Sequence, residues 1–266
     1  MGILSIEAVS CARAADGSPS RLPAGAAELD DSARLLVAYV RQLTGTVPDG
    51  LSLWPGDREG IADLALRALG GLGVPSGGRE SLVLVQRGHD REHHTVPLPR
   101  VSHEVPWEIT EEFGVSHVES APHTGAFEML GWLLEPGARG TVLIADHTEY
   151  ALGPVPPDDS VTAVRVVAGA GPLRVTGSGT GVPETGGDPV LKVPGDGWEV
   201  LARLLADPAP GLRLFLVEAS APGEERWLLL ETGGPAEAAG PPGTGTTPET
   251  RPSPPTTCAT PEAGPR

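Results

Sequence analysis

Residues 111–133 read EEFGVSHVESAPHTGAFEMLGWL. Positions 114–119 make a short strand, a brief link runs to His123, and 124–134 places Phe127, Leu130 and Leu134 on one helical face. A strand, an elbow and a buried helix in this order form a unit of a layered α/β fold. The segments on either side repeat the alternation. Upstream, LVLV at 82–85 is a continuous aliphatic run that suits a strand covered on both faces. Before it, 57–69 has Ile61, Leu64, Ala65, Ala68 and Leu69 on one helical stripe, with Gly70-Gly71 as the expected stop. Positions 29–43 form another helix after Asp30-Asp31, and 3–9 opens the chain as a strand. Downstream, 141–145 (TVLIA), 160–168 and 173–176 are strands. The prediction is an α/β fold with a mixed sheet whose crossovers are helices.

Composition bounds the function. The chain has 266 residues, 35 acidic against 19 basic side chains and a net charge of -16. That sign repels phosphate backbones and acidic lipid surfaces alike, so nucleic acid and membrane partners are not expected. No run of about 18 apolar residues is present to span a bilayer. The start, MGILSIE, lacks a basic segment and a long apolar core, which predicts a cytoplasmic protein. Cys11 and Cys258 are then free thiols, the second lying in a Pro/Thr-rich tail.

Four regions follow from these patterns: a body at 1–175, a Gly/Pro-rich linker at 176–196, a short segment at 197–231 and a disordered tail at 232–266. The short segment reads as one helix at 198–205 and a hairpin, 212–218 with 226–231, around Ala221-Pro222-Gly223-Glu224.

Five stretches in order resemble the thiolase fold, most closely β-ketoacyl-ACP synthase III. They are GILSIEAVS at 2–10, DLALRALGGLGVPSGGRESLVLVQ at 63–86, the 111–133 stretch, GARGTVLIADHTEYA at 137–151 and DDSVTAVRVVAG at 158–169. The resemblance implies a thiolase-like layered fold with its N-terminal half kept and its second half truncated. At the elbow the family carries Cys-Ser-Gly or a close variant, where the helix N-terminus favours a thiolate for attack on an acyl thioester. This chain has His123-Thr124-Gly125 there. The same dipole disfavours an imidazolium, and an acyl-imidazole hydrolyses quickly, so stable acyl loading at 123 is not expected. The family's second half also supplies a His and an Asn for decarboxylation, and 197–231 contains neither.

These departures imply a non-condensing ketosynthase-like subunit that pairs with an active ketosynthase III-type enzyme, or with itself, in polyketide or fatty-acyl biosynthesis. The alternative is an acyltransferase or thioesterase-like enzyme with His123 as general base and Thr124, Gly125 and His147 lining the substrate site. Acyl carrier protein or acyl-CoA would be the contact in either case. A third option is a binding module without turnover. No cofactor is expected. The cluster of His89, His93, His94 and His103 with Asp90, Glu92 and Glu104 has the ligand types for zinc, but Pro97 and Pro99 argue for a solvated loop, so no metal site is predicted. His117 reads as a buried structural histidine, and Asp146, His147 and Glu149 follow a strand's C-terminal end, where α/β proteins place ligands. Gly177-Ser178-Gly179 lies in a flexible stretch rather than between strand and helix, which argues against a hydrolase elbow.

Overall fold

A computed structural model of the chain describes residues 3–14, 20–21, 51–53, 59–87, 97–116, 122–146, 150–152, 160–219 and 224–233, together with scattered positions within 34–45. The strands are β1 (Leu4–Arg13), β2 (Ser20–Arg21), β3 (Leu51–Leu53), β4 (Arg79–Gln86), β5 (Glu108–Val115), β6 (Arg139–Ala145), β7 (Tyr150–Leu152), β8 (Ser160–Ala168), β9 (Leu173–Thr180), β10 (Val190–Val193), β11 (Arg213–Ala219) and β12 (Glu225–Thr232). The helices are α1 (Ile61–Leu72), α2 (Pro97–Glu104), α3 (Pro122–Leu133) and α4 (Gly197–Ala206). Of the helix expected at 29–43, positions 34, 35, 37, 38, 41 and 42 are described and helical.

Nine strands make one mixed sheet in the order β10-β11-β12-β9-β1-β8-β6-β4-β5; β2, β3 and β7 form a separate small one. The large sheet reads the same way outward from its β9–β1 contact. On one side β1 is followed by antiparallel β8, then β6, then β4 and β5 parallel to it. On the other, β9 is followed by antiparallel β12, then β11, then β10 parallel to it. Each half thus places its first strand beside its last. Among the described residues the second half has no counterpart of β5.

Two apolar clusters lie on the two faces. Ile61, Leu64, Ala68 and Leu69 of α1 and Leu98 and Val101 of α2 pack with Leu82, Leu84, Leu143 and Ala163 on one face. Phe127 and Leu130 of α3 and Trp198 and Leu201 of α4 pack with Val83, Val85, Ile144 and Val164 of the first half and with Leu214, Leu216, Leu228 and Leu230 of the second. Phe127 stacks on Trp198 with ring centroids 6.3 Å apart. Helix α3 touches β4 and β6 as well as β11 and β12, so it is wedged between the halves.

Several expectations shift. Gly70 and Gly71 lie inside α1, which ends at Gly73 with φ +69°. A Cβ on Gly71 would meet Ser10 Oγ at 2.2 Å, so this glycine serves close helix–strand approach rather than termination. Arg165 donates to the carbonyls of Leu72 and Gly73 and to both oxygens of buried Glu80, closing the helix end with a neutralised cation. Pro97 and Pro99, expected in a loop, occupy the first turn of α2, where a missing N–H costs nothing. The strand expected at 114–119 is β5, ending at Val115; His117 lies outside the described residues.

The linker expected at 176–196 is also corrected. It carries the end of β9 and all of β10, and β9 pairs with β12 as far as Thr180. Gly177 and Gly179 stand opposite Leu229 and Trp227, and the Trp227 ring fills the space a side chain at 179 would need. The second half therefore begins at Leu173 and holds four strands and α4. Thr232 belongs to β12, and the rest of the tail expected to be disordered lies outside the described residues from 234 onward. No helix among the described residues is long and apolar enough to cross a membrane.

Candidate functional site

The site forms where the C-terminal ends of β4, β6 and β11 meet the N-terminus of α3. Pro122 opens that helix, its fixed φ suiting the first position. The next amides, of His123 and Thr124, have no partner within the helix. Ala121 before them offers no side-chain oxygen. Glu218, at the end of β11 and fully buried, supplies the cap from the other half. Its Oε2 accepts from the Thr124 N–H at 2.9 Å and from Thr124 Oγ1 at 3.2 Å, and its Oε1 accepts from the His123 N–H at 3.3 Å. A carboxylate here also gains from the positive end of the helix dipole.

Arg87, just past β4, links two acids. Its Nη2 donates to Glu218 Oε1 at 3.3 Å, and its Nε lies 3.4 Å from Asp146 Oδ1. Asp146 follows β6 and is buried. Its other oxygen lies 2.8 Å from His123 Nε2. That contact is close but off the N–H axis: His123 Nε2, Arg87 Nε and Asp146 Oδ1 have no well-aligned hydrogen-bond partner. They interact as neighbouring charges and dipoles rather than as directed bonds.

The opposite face of the His123 ring decides its state. Trp198 Nε1 donates to His123 Nδ1 at 2.9 Å. An indole N–H only donates, so Nδ1 presents its lone pair and the ring proton sits on Nε2, facing Asp146. Both rings are about 1% exposed. His123 therefore has no free lone pair with which to take a proton from a substrate or water. In a base–orienter pair the carboxylate holds one nitrogen and the other faces the reacting group; here the other faces tryptophan.

Of the residues singled out in sequence, His123 and Thr124 lie in this network. Gly125 is half-buried in the first turn of α3, and His147 lies outside the described residues, as do His89, His93, His94 and Glu149. His103 is exposed on α2. Among the described residues no group of three His, Cys, Asp or Glu is placed to hold a metal ion. Arg87 and Glu218 escaped the sequence reading, although each is a lone charge closing an apolar run, LVLVQR and LFLVE, like Asp146 after VLIA. That pattern marks strand ends facing a site. A groove of about 390 Å³ lined by Ile3, Leu4 and residues 174–178 shares no residue with the network.

No protein-family model and no curated protein sequence matches the chain. Solved structures do. AbyA1, a tetronic acid condensing enzyme, aligns with TM-score 0.55 and 16% identity over 86% of this chain and 100% of its own. ChlB3, an acyltransferase, aligns with TM-score 0.53 and 13% identity over 89% and 99%. The chain has the thiolase fold. A 3-oxoacyl-(acyl-carrier-protein) synthase III is similar too, with TM-score 0.52 and 12% identity over 85% and 98%. At these identities the likeness is one of fold.

Position 123 stands in the first turn of α3. What the sequence did not show is that the anion-binding amides beside it are already taken by Glu218.

Proposed function

We propose that this chain is a non-condensing, thiolase-fold subunit that pairs with an active ketosynthase III-type enzyme in polyketide or fatty-acyl biosynthesis. The observation that carries the reading is the filled site. A thioester carbonyl attacked at residue 123 would need a nucleophile there and a donor for the oxyanion. His123 Nδ1 accepts from Trp198 and its Nε2 faces Asp146, and the first free amides of α3 are bonded to a resident carboxylate. The chain contains no asparagine, and its seven histidines all precede the second half, so the family's decarboxylating pair has no counterpart. Contact with an acyl carrier protein or acyl-CoA would then run through the partner, in the cytoplasm.

The test combines turnover and association. Purified chain should neither condense malonyl and acyl thioesters nor become acylated, and co-expression with a ketosynthase III-type enzyme encoded beside it should yield one stable complex. Condensation by the chain alone, or separate elution of the two proteins at micromolar concentration, refutes the reading.

One observation favours a second reading, acyl transfer or thioester hydrolysis with His123 as base: the 2.8 Å approach of Asp146 to its ring. That mechanism requires Trp198 to move off Nδ1. Hydrolysis of acyl-CoA that is lost in H123A and raised in W198F would support it; equal background rates in wild type and H123A would remove it.

A further inference from the structure

The groove beside Ile3 and Leu4 lies at the seam between the halves. Strand β1 pairs with β9 only through Leu4, Ser5 and Ile6. Beyond Val175, β9 runs on to Thr180 with β12 on one side and, among the described residues, no strand on the other. A bulge widens the opening: Val175 pairs with Leu230 and Gly177 with Leu229, so Thr176 has no counterpart on β12. Gly177 and Ser178, which follow, are too small to close the gap. The result is a groove of about 390 Å³ with Leu4, Val175 and Leu228 in its wall and Ile3, 60% exposed, beside them. That volume falls within the range of small-molecule sites, roughly 300–1,000 Å³.

One charge stands in this mainly apolar lining. Arg174 is half-buried, its Nε has no hydrogen-bond partner, and its guanidinium forms no ion pair among the described residues. Its neighbours across the ladders are committed elsewhere. Glu231, opposite on β12, lies 3.3 Å from Arg213 Nε, and the Ser5 hydroxyl, opposite on β1, donates to the Gly169 carbonyl at 2.6 Å. A shielded cation without a counterion is costly, and a chain of net charge -16 has no shortage of acids to place beside it. Guanidinium matches a planar carboxylate through two parallel N–H donors. A phosphate would bring more negative charge, and the described lining holds no second cation to meet it.

We propose that this groove binds a medium-chain aliphatic carboxylate, its chain along Leu4, Val175 and Leu228 and its head on Arg174. The site shares no residue with the His123 network, and it stands whether or not the chain pairs with a ketosynthase.

The probe is decanoate, with decanol as the uncharged chain and acetate as the head alone. In isothermal titration of the full chain, below the micelle concentration, decanoate should bind once per chain in the micromolar range and acetate should not bind. R174M keeps the aliphatic stem and removes the charge. It should weaken decanoate roughly tenfold or more, the scale of one charge-assisted contact, and leave decanol within about twofold. If R174M melts well below wild type, R174Q replaces it. S178W, at an exposed position, should fill the groove and abolish binding of both probes. No decanoate binding to wild type, equal affinity for wild type and the neutral Arg174 variant, or binding that survives S178W overturns the proposal. None of these outcomes bears on condensation, whose detection in the chain alone is what overturns the functional reading.

Discussion

Replacing His123 by cysteine puts a thiol in the first turn of α3, and the structure predicts that it will stay unreactive. A thiolate at position 123 would stand near the carboxylates of Asp146 and Glu218, which approach the His123 ring and backbone N–H; a unit charge at about 5 Å costs roughly 3 kcal/mol for each at an effective dielectric of about 20. Arg87 offsets about one of these, and the helix N-terminus returns about 0.5–1 kcal/mol. The balance, near 2 kcal/mol, raises the thiol by roughly 1.5–2 units above its ordinary value of about 8.5, leaving under about 0.1% thiolate at pH 7. E218Q in the same chain removes one carboxylate at nearly constant shape, so H123C/E218Q should carry about 150-fold more thiolate at that pH. The assay is iodoacetamide alkylation across pH 6–10 in a C11S/C258S background, with peptide mapping by mass spectrometry and octanoyl-CoA as a second, acylating probe. Fast alkylation of H123C at pH 7, or equal rates with and without E218Q, would refute the claim that resident charge disarms this helix end.

W198F removes the donor to His123 Nδ1 seen among the described residues and should destabilise the fold by about 1–3 kcal/mol, read as a lower midpoint in urea. G197A should cost more than a surface Gly→Ala change, about 1–3 kcal/mol, because its Cβ would stand 2.3 Å from the Lys192 carbonyl oxygen, which is backbone and cannot rotate away. Burial pushes the Cys11 thiol up, more than its Thr162 contact brings it down. The unfolded chain therefore releases that proton first, so stability should fall as pH rises past the ordinary thiol range. C11S should flatten the alkaline limb of a pH–stability profile; an unchanged limb would show that Cys11 is free to ionise in the folded chain.

Much of the fold could be read from residue pattern because the central strands are unambiguous. LVLV in β4, TVLIA in β6 and the fully buried β8 are runs that only a doubly covered strand explains. The hairpin of β11 and β12 followed from its turn. What misled was composition without context. TGSGT at the end of β9 lacks strand propensity, yet it is held there by the bulk of Leu229 and Trp227 across the ladder. β-Propensity is largely a statement about neighbours, and those lie about fifty residues away. β5 was displaced for a related reason: exposed on nearly every residue, it shows no inside–outside alternation to find. At the site, His123 and Thr124 were visible through the elbow, whereas Glu218 reaches them from 94 or more residues further on. Its role is set by tertiary placement alone.

The contacts that disarm the site also join the halves. Glu218 comes from β11 and Trp198 from α4, both in the second half, and both bind the first turn of a helix whose strands are mainly in the first. A site kept open for substrate must leave such groups unpaired when empty, and buried unpaired groups cost stability. Filling it internally removes that cost and adds cross-links where the second half has fewer strands to offer. Reactivity and cohesion should therefore trade against each other here. In H123C/E218Q the gain in thiolate should come with a lower unfolding midpoint, because the substitution that frees the helix end weakens the Arg87–Glu218 attachment across the two halves. A double variant that gains reactivity with no loss of stability would mean that the β1–β9 pairing and the apolar packing around Phe127 and Trp198 hold the halves without help from Glu218.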